Sequence, residues 1–196
     1  MRGAMLGLAE KGVDYELVEV PPPFKDPEHI ARNPFGRVPA FEHEGFMFYE
    51  TQAILRYVDQ VFSGPILQPV DAHEIARMNQ ILGIIDCYLG RSWSSTIGLE
   101  RLLATRFFGR QPDLDQIESA VPIARTCAEA LEDLITGPYL TGETFSLADI
   151  RLMPHFDWFR LTPEGEEILT GKSKLALWFQ HVSERASAKE ILLPLN

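Results

Sequence analysis

The sequence predicts an α/β segment followed by an all-helical one, and three observations carry that reading. Over residues 1–62 the apolar spacing alternates between helical and strand periods, in the order helix, strand, helical turn, hairpin, helix. Ser63 to Val70 (SGPILQPV) is a Gly/Pro-rich linker with little regular potential. Beyond Asp71 the apolar residues recur at steps of three and four, most regularly at Ile117, Val121, Ala124, Ala128, Leu131 and Ile135. The expected organisation is therefore an α/β domain over 1–62, a linker over 63–70 and an all-helical domain over 71–196.

Each element has a local cause. Arg2 to Lys11 places Ala4, Met5, Leu8 and Ala9 on one helical face, and Gly12 supplies a C-terminal stop. Val13, Tyr15 and Leu17 alternate with Asp14 and Glu16, which predicts a strand to about Val20, ended by Pro21-Pro22-Pro23. Lys25 to Arg32 has room for a helical turn or two before Asn33-Pro34, because a residue preceding proline is pushed away from helical angles. Val38 to His43 and Phe46 to Tyr49 flank Glu44-Gly45 as a hairpin. Thr51 is a good N-cap type just ahead of Ile54, Leu55 and Val58 at helical spacing.

In the second half, Asp71 caps a long helix with Ile75, Met78, Leu82, Ile85 and Leu89 on one face; the pattern continues irregularly from Arg91 to Gly109. Asp113 starts the central helix, which Gly137-Pro138 stops. Ser146-Leu147-Ala148-Asp149 reads as a capping box, with Phe145 and Ile150 placed as a hydrophobic staple. A carboxylate in that position is occupied by the cap, so Asp149 is read as structural and not as an acid or base. Leu175, Trp178, Phe179 and Val182 suggest one or two short closing helices.

Composition narrows the function. The 196 residues carry a formal charge of −10, and 45% are hydrophobic against 23% charged. An acidic surface disfavours nucleic acid and anionic membranes, and no run has the length of a membrane-spanning helix or the pattern of a signal peptide. A cytoplasmic protein is expected. Cys87 and Cys127 lie far apart and outside any C-x-x-C spacing, so neither a disulfide framework nor a metal site is indicated, and both are expected to be reduced, buried and inert. His29, His43, His73, His155 and His181 show neither metal spacing nor a neighbouring nucleophile.

The stretch Asn33 to Val58 (NPFGRVPAFEHEGFMFYETQAILRYV) has the most chemical content. A strand feeds directly into a helix whose N-terminus combines a hydroxyl, Thr51, with backbone N–H groups at the positive end of the helix dipole, an arrangement that suits carboxylates. Pro39 cannot donate to a ladder and leaves the backbone of Val38 to pair with an extended ligand. Singly, Thr51 is merely a cap, Pro39 a strand terminator and Arg37 a solvated charge. Their order and spacing make the signal.

Asn33-Pro34-Phe35-Gly36-Arg37-Val38-Pro39-Ala40-Phe41, followed by Tyr49-Glu50-Thr51-Gln52-Ala53-Ile54, resembles the glutathione-binding half of a cytosolic glutathione S-transferase, the serine-type branch being the most similar. The Ser146–Asp149 box is similar to that of the helical domain in the same family, so the resemblance spans nearly the whole chain. It implies a thioredoxin-like N-terminal domain, here with its first strand missing, joined to an all-helical domain. It further implies that Val38 and a cis Pro39 take the cysteinyl backbone of glutathione, Glu50 and Thr51 the γ-glutamyl end, and Arg37 the glycyl carboxylate. Thr51 stands where the family usually has serine, keeping the hydroxyl and adding a methyl group.

The implied activity is attack of the glutathione thiol on a small apolar electrophile, with glutathione as co-substrate, no metal, a homodimeric assembly and a role in detoxification. Family members carry a thiolate-steadying serine, tyrosine or cysteine on a strand and turn ahead of the first helix. Here the first such group, Tyr15, falls on the following strand, so the catalytic residue is unassigned. Two readings stay open: the chain begins at an internal methionine of a longer protein, or it is a variant lacking that group. For the chain as given, weak glutathione binding and slow conjugation that rises above about pH 8 are expected. The alternatives are a non-catalytic glutathione-binding or scaffolding module, or a glutathione-dependent peroxidase, isomerase or dehalogenase. Tyr88, Trp93, Phe107, Phe108 and Trp158 either line an electrophile pocket or pack the core.

Overall fold

The computed structural model describes residues 1–192. It divides into two compact units, Met1–Ile66 and a second that begins at Leu67.

In the first unit, α1 (Arg2–Glu10) and α3 (Thr51–Val61) pack through Ala4, Leu8, Ile54 and Val58, with Val13, Phe41, Phe48 and Phe62 against that cluster. Between them come α2 (Pro27–Arg32), β1 (Ala40–His43) and β2 (Phe46–Tyr49). The strands pair antiparallel in the register Ala40↔Tyr49 to His43↔Phe46, so Glu44-Gly45 is a two-residue turn. Both turn residues have positive φ, 52° and 79°, the mirror-image geometry whose twist matches that of the flanking strands. Asp26 caps α2, its Oδ1 accepting from the N–H groups of Glu28 and His29, and the helix stops at Arg32 ahead of Asn33-Pro34.

Lys11 is buried, and its ammonium donates to Asp59 Oδ1 at 3.1 Å, to the Asp59 carbonyl at 3.1 Å and to the Pro65 carbonyl at 2.9 Å. A buried ammonium is tolerable only when its donors are satisfied and an opposite charge is near, and both conditions are met.

The strand expected over Val13 to Val20 does not form. Among the described residues the sheet contains only β1 and β2, and residues 13–20 run alongside it without a ladder. Alternation dictates an extended backbone, but a strand also needs a partner edge, and Tyr15, Leu17 and Val18 are exposed. Thr51 is likewise not the N-cap of α3. That position belongs to Glu50 at φ 75°, with no side chain capping the helix.

The second unit is helical throughout. α4 (Ala72–Ile84) is capped by Asp71, whose Oδ1 accepts from the N–H groups of His73 and Glu74, and it continues without a break into a π-helical stretch, Ile85–Leu103. This stretch overlaps Arg91 to Gly109, where the apolar spacing is irregular. Next come α5 (Ala104–Phe108), α6 (Leu114–Leu134), capped by Asp113, and α7 (Leu147–Phe159). Three closing helices follow where one or two were expected: α8 (Pro163–Leu169), α9 (Ser173–Ser183) and α10 (Ala186–Ile191). The extra break has a cause in Thr162-Pro163, since Thr162 Oγ1 accepts from the Gly165 N–H while Pro163 takes the first helical position.

Trp93 stacks on Phe159 at 4.3 Å and donates Nε1–H to the Ala124 carbonyl, so it is a core residue. Tyr88, Phe107 and Phe108 are about half exposed and pack no core.

The capping box is present and saturated. The buried Asp149 carboxylate accepts from the Ser146 N–H at 2.8 Å and Ser146 Oγ–H at 2.9 Å on one oxygen, and from the Leu140 N–H at 2.9 Å and Trp178 Nε1–H at 2.8 Å on the other. Burial pushes the carboxyl up while these four hydrogen bonds pull it down. Phe145 and Ile150 are both buried beside it.

Candidate functional site

The hairpin register assembles the candidate site. Ala40 faces Tyr49 in the last pair of the ladder, so Pro39 and Val38, just before β1, lie at the same end of the hairpin as Glu50 and Thr51, just after β2. The Asn33–Gly36 loop is drawn to that end by Phe35, whose ring meets Tyr49 edge-on at 5.9 Å. Gly36 is needed in the loop: its φ is +58°, and a Cβ there would come within 3.2 Å of the Phe24 carbonyl oxygen and 3.3 Å of Ile30 Cδ1.

The peptide bond before Pro39 is cis, as is that between Pro22 and Pro23. Val38 is half-buried, and neither its N–H nor its carbonyl makes a hydrogen bond among the described residues. The same holds for the Thr51 hydroxyl, the exposed Glu50 carboxylate and the exposed Arg37 guanidinium. The end of the hairpin thus offers one cation, one anion, a hydroxyl, the N-terminus of an eleven-residue helix and an unpaired extended backbone. That set complements a zwitterionic, peptide-like molecule carrying carboxylates and an amine.

Val38 and Pro39 also line a groove of about 630 Å³ that runs between residues 13–20 and Val38–His43 and is floored by Met5, Leu8 and Phe62. A larger cavity of about 790 Å³ lies in the second unit, between α9 and Ile135–Pro138. Its two charged residues of opposite sign are engaged elsewhere, Lys174 donating to the Ile135 carbonyl and Glu184 accepting from Lys189.

Two features were missed in the sequence. Cys87 is exposed, contrary to the expectation of burial, because it points away from the core on the stretch whose residues Ile85 and Leu89 face inward. Cys127 is buried as expected, and burial pushes its thiol up to about 11, far from a nucleophile at neutral pH. The other concerns His155, which was expected to lack a nucleophile nearby: Ser94 Oγ lies 2.6 Å from its Nδ1. Sixty-one residues separate the two, so spacing gave no signal. The pair is not set up for nucleophilic attack. Arg151 donates to His155 Nε2, so that nitrogen is the acceptor; Nδ1 then carries the proton and donates to Ser94, leaving no base for the hydroxyl.

With this geometry established, comparison with known proteins shows what the chain is related to. The N-terminal domain model of glutathione S-transferases matches residues 1–60, and a C-terminal domain model of the same family matches residues 115–181. Glutathione S-transferase 4 of Zea mays is 30% identical over 192 residues, covering 96% of this chain and 85% of the relative. The chain belongs to the glutathione S-transferase family. Glutathione S-transferase U26 of Arabidopsis thaliana is 31% identical over 195 residues, covering 95% of this chain and 81% of its own. Among solved structures, glutathione transferase F7 from Populus trichocarpa superimposes with a TM-score of 0.86 at 25% identity, over 97% of this chain and 91% of that one. The thioredoxin-like-plus-helical architecture inferred for this family is therefore the fold of this member, with a two-stranded N-terminal sheet among the described residues.

Proposed function

We propose that this glutathione S-transferase family member conjugates the thiol of glutathione to a small apolar electrophile, holding glutathione at the open end of the hairpin. The observation that carries the site is the unpaired backbone of Val38, next to the unpaired groups of Arg37, Glu50 and Thr51. The cysteinyl amide and carbonyl pair with Val38 beside Pro39. The γ-glutamyl carboxylate sits at the N-terminus of α3 against the Thr51 hydroxyl, and its ammonium meets the Glu50 carboxylate. The glycyl carboxylate takes Arg37, the cation needed to offset a chain of net charge −10. Glutathione supplies the nucleophile: its thiol gives its proton to solvent water, and the sulfur forms a bond to the electrophilic carbon as the bond to the leaving group breaks and that group departs with its electron pair. Fixing the tripeptide at four points contributes by positioning the sulfur. We further propose a homodimer acting in the cytoplasm on such electrophiles, isologous pairing being the commonest assembly.

Titration calorimetry with glutathione, beside conjugation of chlorodinitrobenzene across a pH series, tests the reading. Binding together with turnover is the expected result. No heat of binding at millimolar glutathione would overturn the site, and binding without turnover at any pH would leave a glutathione-binding module in place of an enzyme. Solution mass at micromolar protein tests the dimer.

A further inference from the structure

Two buried side chains converge on one atom behind the candidate site. His29, on α2 and 5% exposed, places Nε2 at 2.9 Å from the Arg37 carbonyl oxygen. Asn33, 3% exposed, donates Nδ2–H to the same oxygen at 2.8 Å and makes a long contact of 3.5 Å with the Pro39 carbonyl. A carbonyl has only lone pairs to offer, so Nε2 of His29 carries the proton and donates it.

We propose that His29 and Asn33 are positioning residues for glutathione, aiming the Val38 backbone at the ligand by gripping the Arg37 carbonyl from behind; this rests on the reading of Val38 given above. The argument is one of covalent geometry. The Arg37 carbonyl and the Val38 N–H belong to the same planar peptide unit, and that bond is trans, so the two dipoles point in opposite directions. Two donors that fix the oxygen on the buried side therefore fix the N–H toward the other side. Hydrogen bonding to the oxygen also polarises the unit and strengthens the N–H as a donor.

The two residues differ in what else they do. Asn33 builds the loop as well, its Oδ1 accepting from the Phe35 N–H at 3.1 Å and its carbonyl from the Gly36 N–H at 3.0 Å. Among the described residues the His29 ring hydrogen-bonds only to the Arg37 carbonyl, reaching across eight residues from a different element. His29 is thus the cleaner probe of positioning.

The experiment compares the parent chain with His29→Leu, which removes the donor, and His29→Gln, whose terminal amide reaches the place of Nε2. Glutathione affinity is measured by calorimetry, and kcat and KM by chlorodinitrobenzene conjugation. His29→Leu is expected to weaken glutathione binding and raise its KM about tenfold, the loss of one buried hydrogen bond. The kcat at saturating glutathione and the KM for the electrophile stay within about twofold, and His29→Gln recovers most of the affinity. A merely structural role would lower active enzyme and kcat without that split. A parent that binds glutathione beside a His29→Leu variant that binds it equally overturns the inference alone. A parent that does not bind overturns the site reading and the inference with it. Should His29→Leu fail to fold, His29→Gln against His29→Asn carries the same contrast, because the shorter amide does not reach; equal affinities there overturn the inference.

Discussion

The Arg37 carbonyl in the first unit and the Asp149 carboxylate in the second are both gripped by buried donors, two on Arg37 and four on Asp149. They leave different things behind. Around Asp149 every donor faces inward and both oxygens are engaged, so the centre ties the start of α7 to the Tyr139–Leu140 turn and to α9 and presents nothing to a ligand. Around Arg37 the grip stops at one oxygen, and the adjoining Val38 amide, the Thr51 hydroxyl and the Arg37 guanidinium are unpaired among the described residues. A saturated polar centre spends its hydrogen bonds on stability; a half-saturated one holds a backbone still while keeping its outer edge available. The same residue chemistry can serve either end, and the difference lies in whether every polar group of the centre finds its partner within the protein.

Three substitutions sharpen or break this contrast. Asp149→Ala leaves the Leu140 N–H and Trp178 Nε1–H buried without an acceptor, so a loss of about 3–5 kcal/mol is expected in urea unfolding. A loss below about 1 kcal/mol would show that the centre is not the anchor described.

The second concerns Glu100, a buried carboxylate clasped by both terminal nitrogens of Arg110 at 2.6 Å and by the Asp113 N–H at 2.9 Å. The Arg110 hydrogen bonds hold its carboxyl below the usual glutamate range. A group depressed in the fold stabilises fully above its ordinary value and loses that contribution as pH falls through the folded value. Glu100→Gln should therefore be less stable than the parent at pH 7 by about 1–2 kcal/mol, discounted because Arg110 is half exposed. The gap should close as pH drops below about 4.3. A gap independent of pH, followed by thermal melts, would refute the ion pair as its source.

The smallest effect is expected from Ser146→Ala, about 1 kcal/mol, since Asp149 keeps its Leu140 and Trp178 donors and accepts the Ser146 backbone still. Its glutathione affinity should match the parent's, because the Ser146 hydroxyl is engaged with Thr141 and Asp149 in the cap. An unchanged melting temperature would remove the cap assignment.

What the sequence made legible was local. Asp71, Asp113 and Ser146 announce their helices because a cap acts within three residues, and Glu44-Gly45 announces its turn because the positive φ values sit in the dipeptide itself. Residues 13–20 were misread because a period of two specifies only an extended backbone, while the pairing that makes a strand is supplied from elsewhere. At the candidate site, the order Arg37-Val38-Pro39 and Glu50-Thr51 could be read directly, and the ladder register brings the two pieces to one end. Behind it, His29 left no trace in the pattern: a lone histidine on a six-residue helix looks like any other, and only folding brings it to the Arg37 oxygen. The exposure of Cys87 and the Ser94–His155 pair were hidden for the same reason, since both depend on which face of a helix meets its neighbour.

The Lys11 ammonium joins three places at once: the C-terminal end of α1, the last turn of α3 and the Pro65 carbonyl beyond it. An opening that frees either helix end must strand that charge or carry both helix ends away together. Amide protons at the C-terminal turns of α1 and α3 should therefore exchange with deuterium as one cooperative unit, with a common opening free energy, and not as two fraying ends with separate rates.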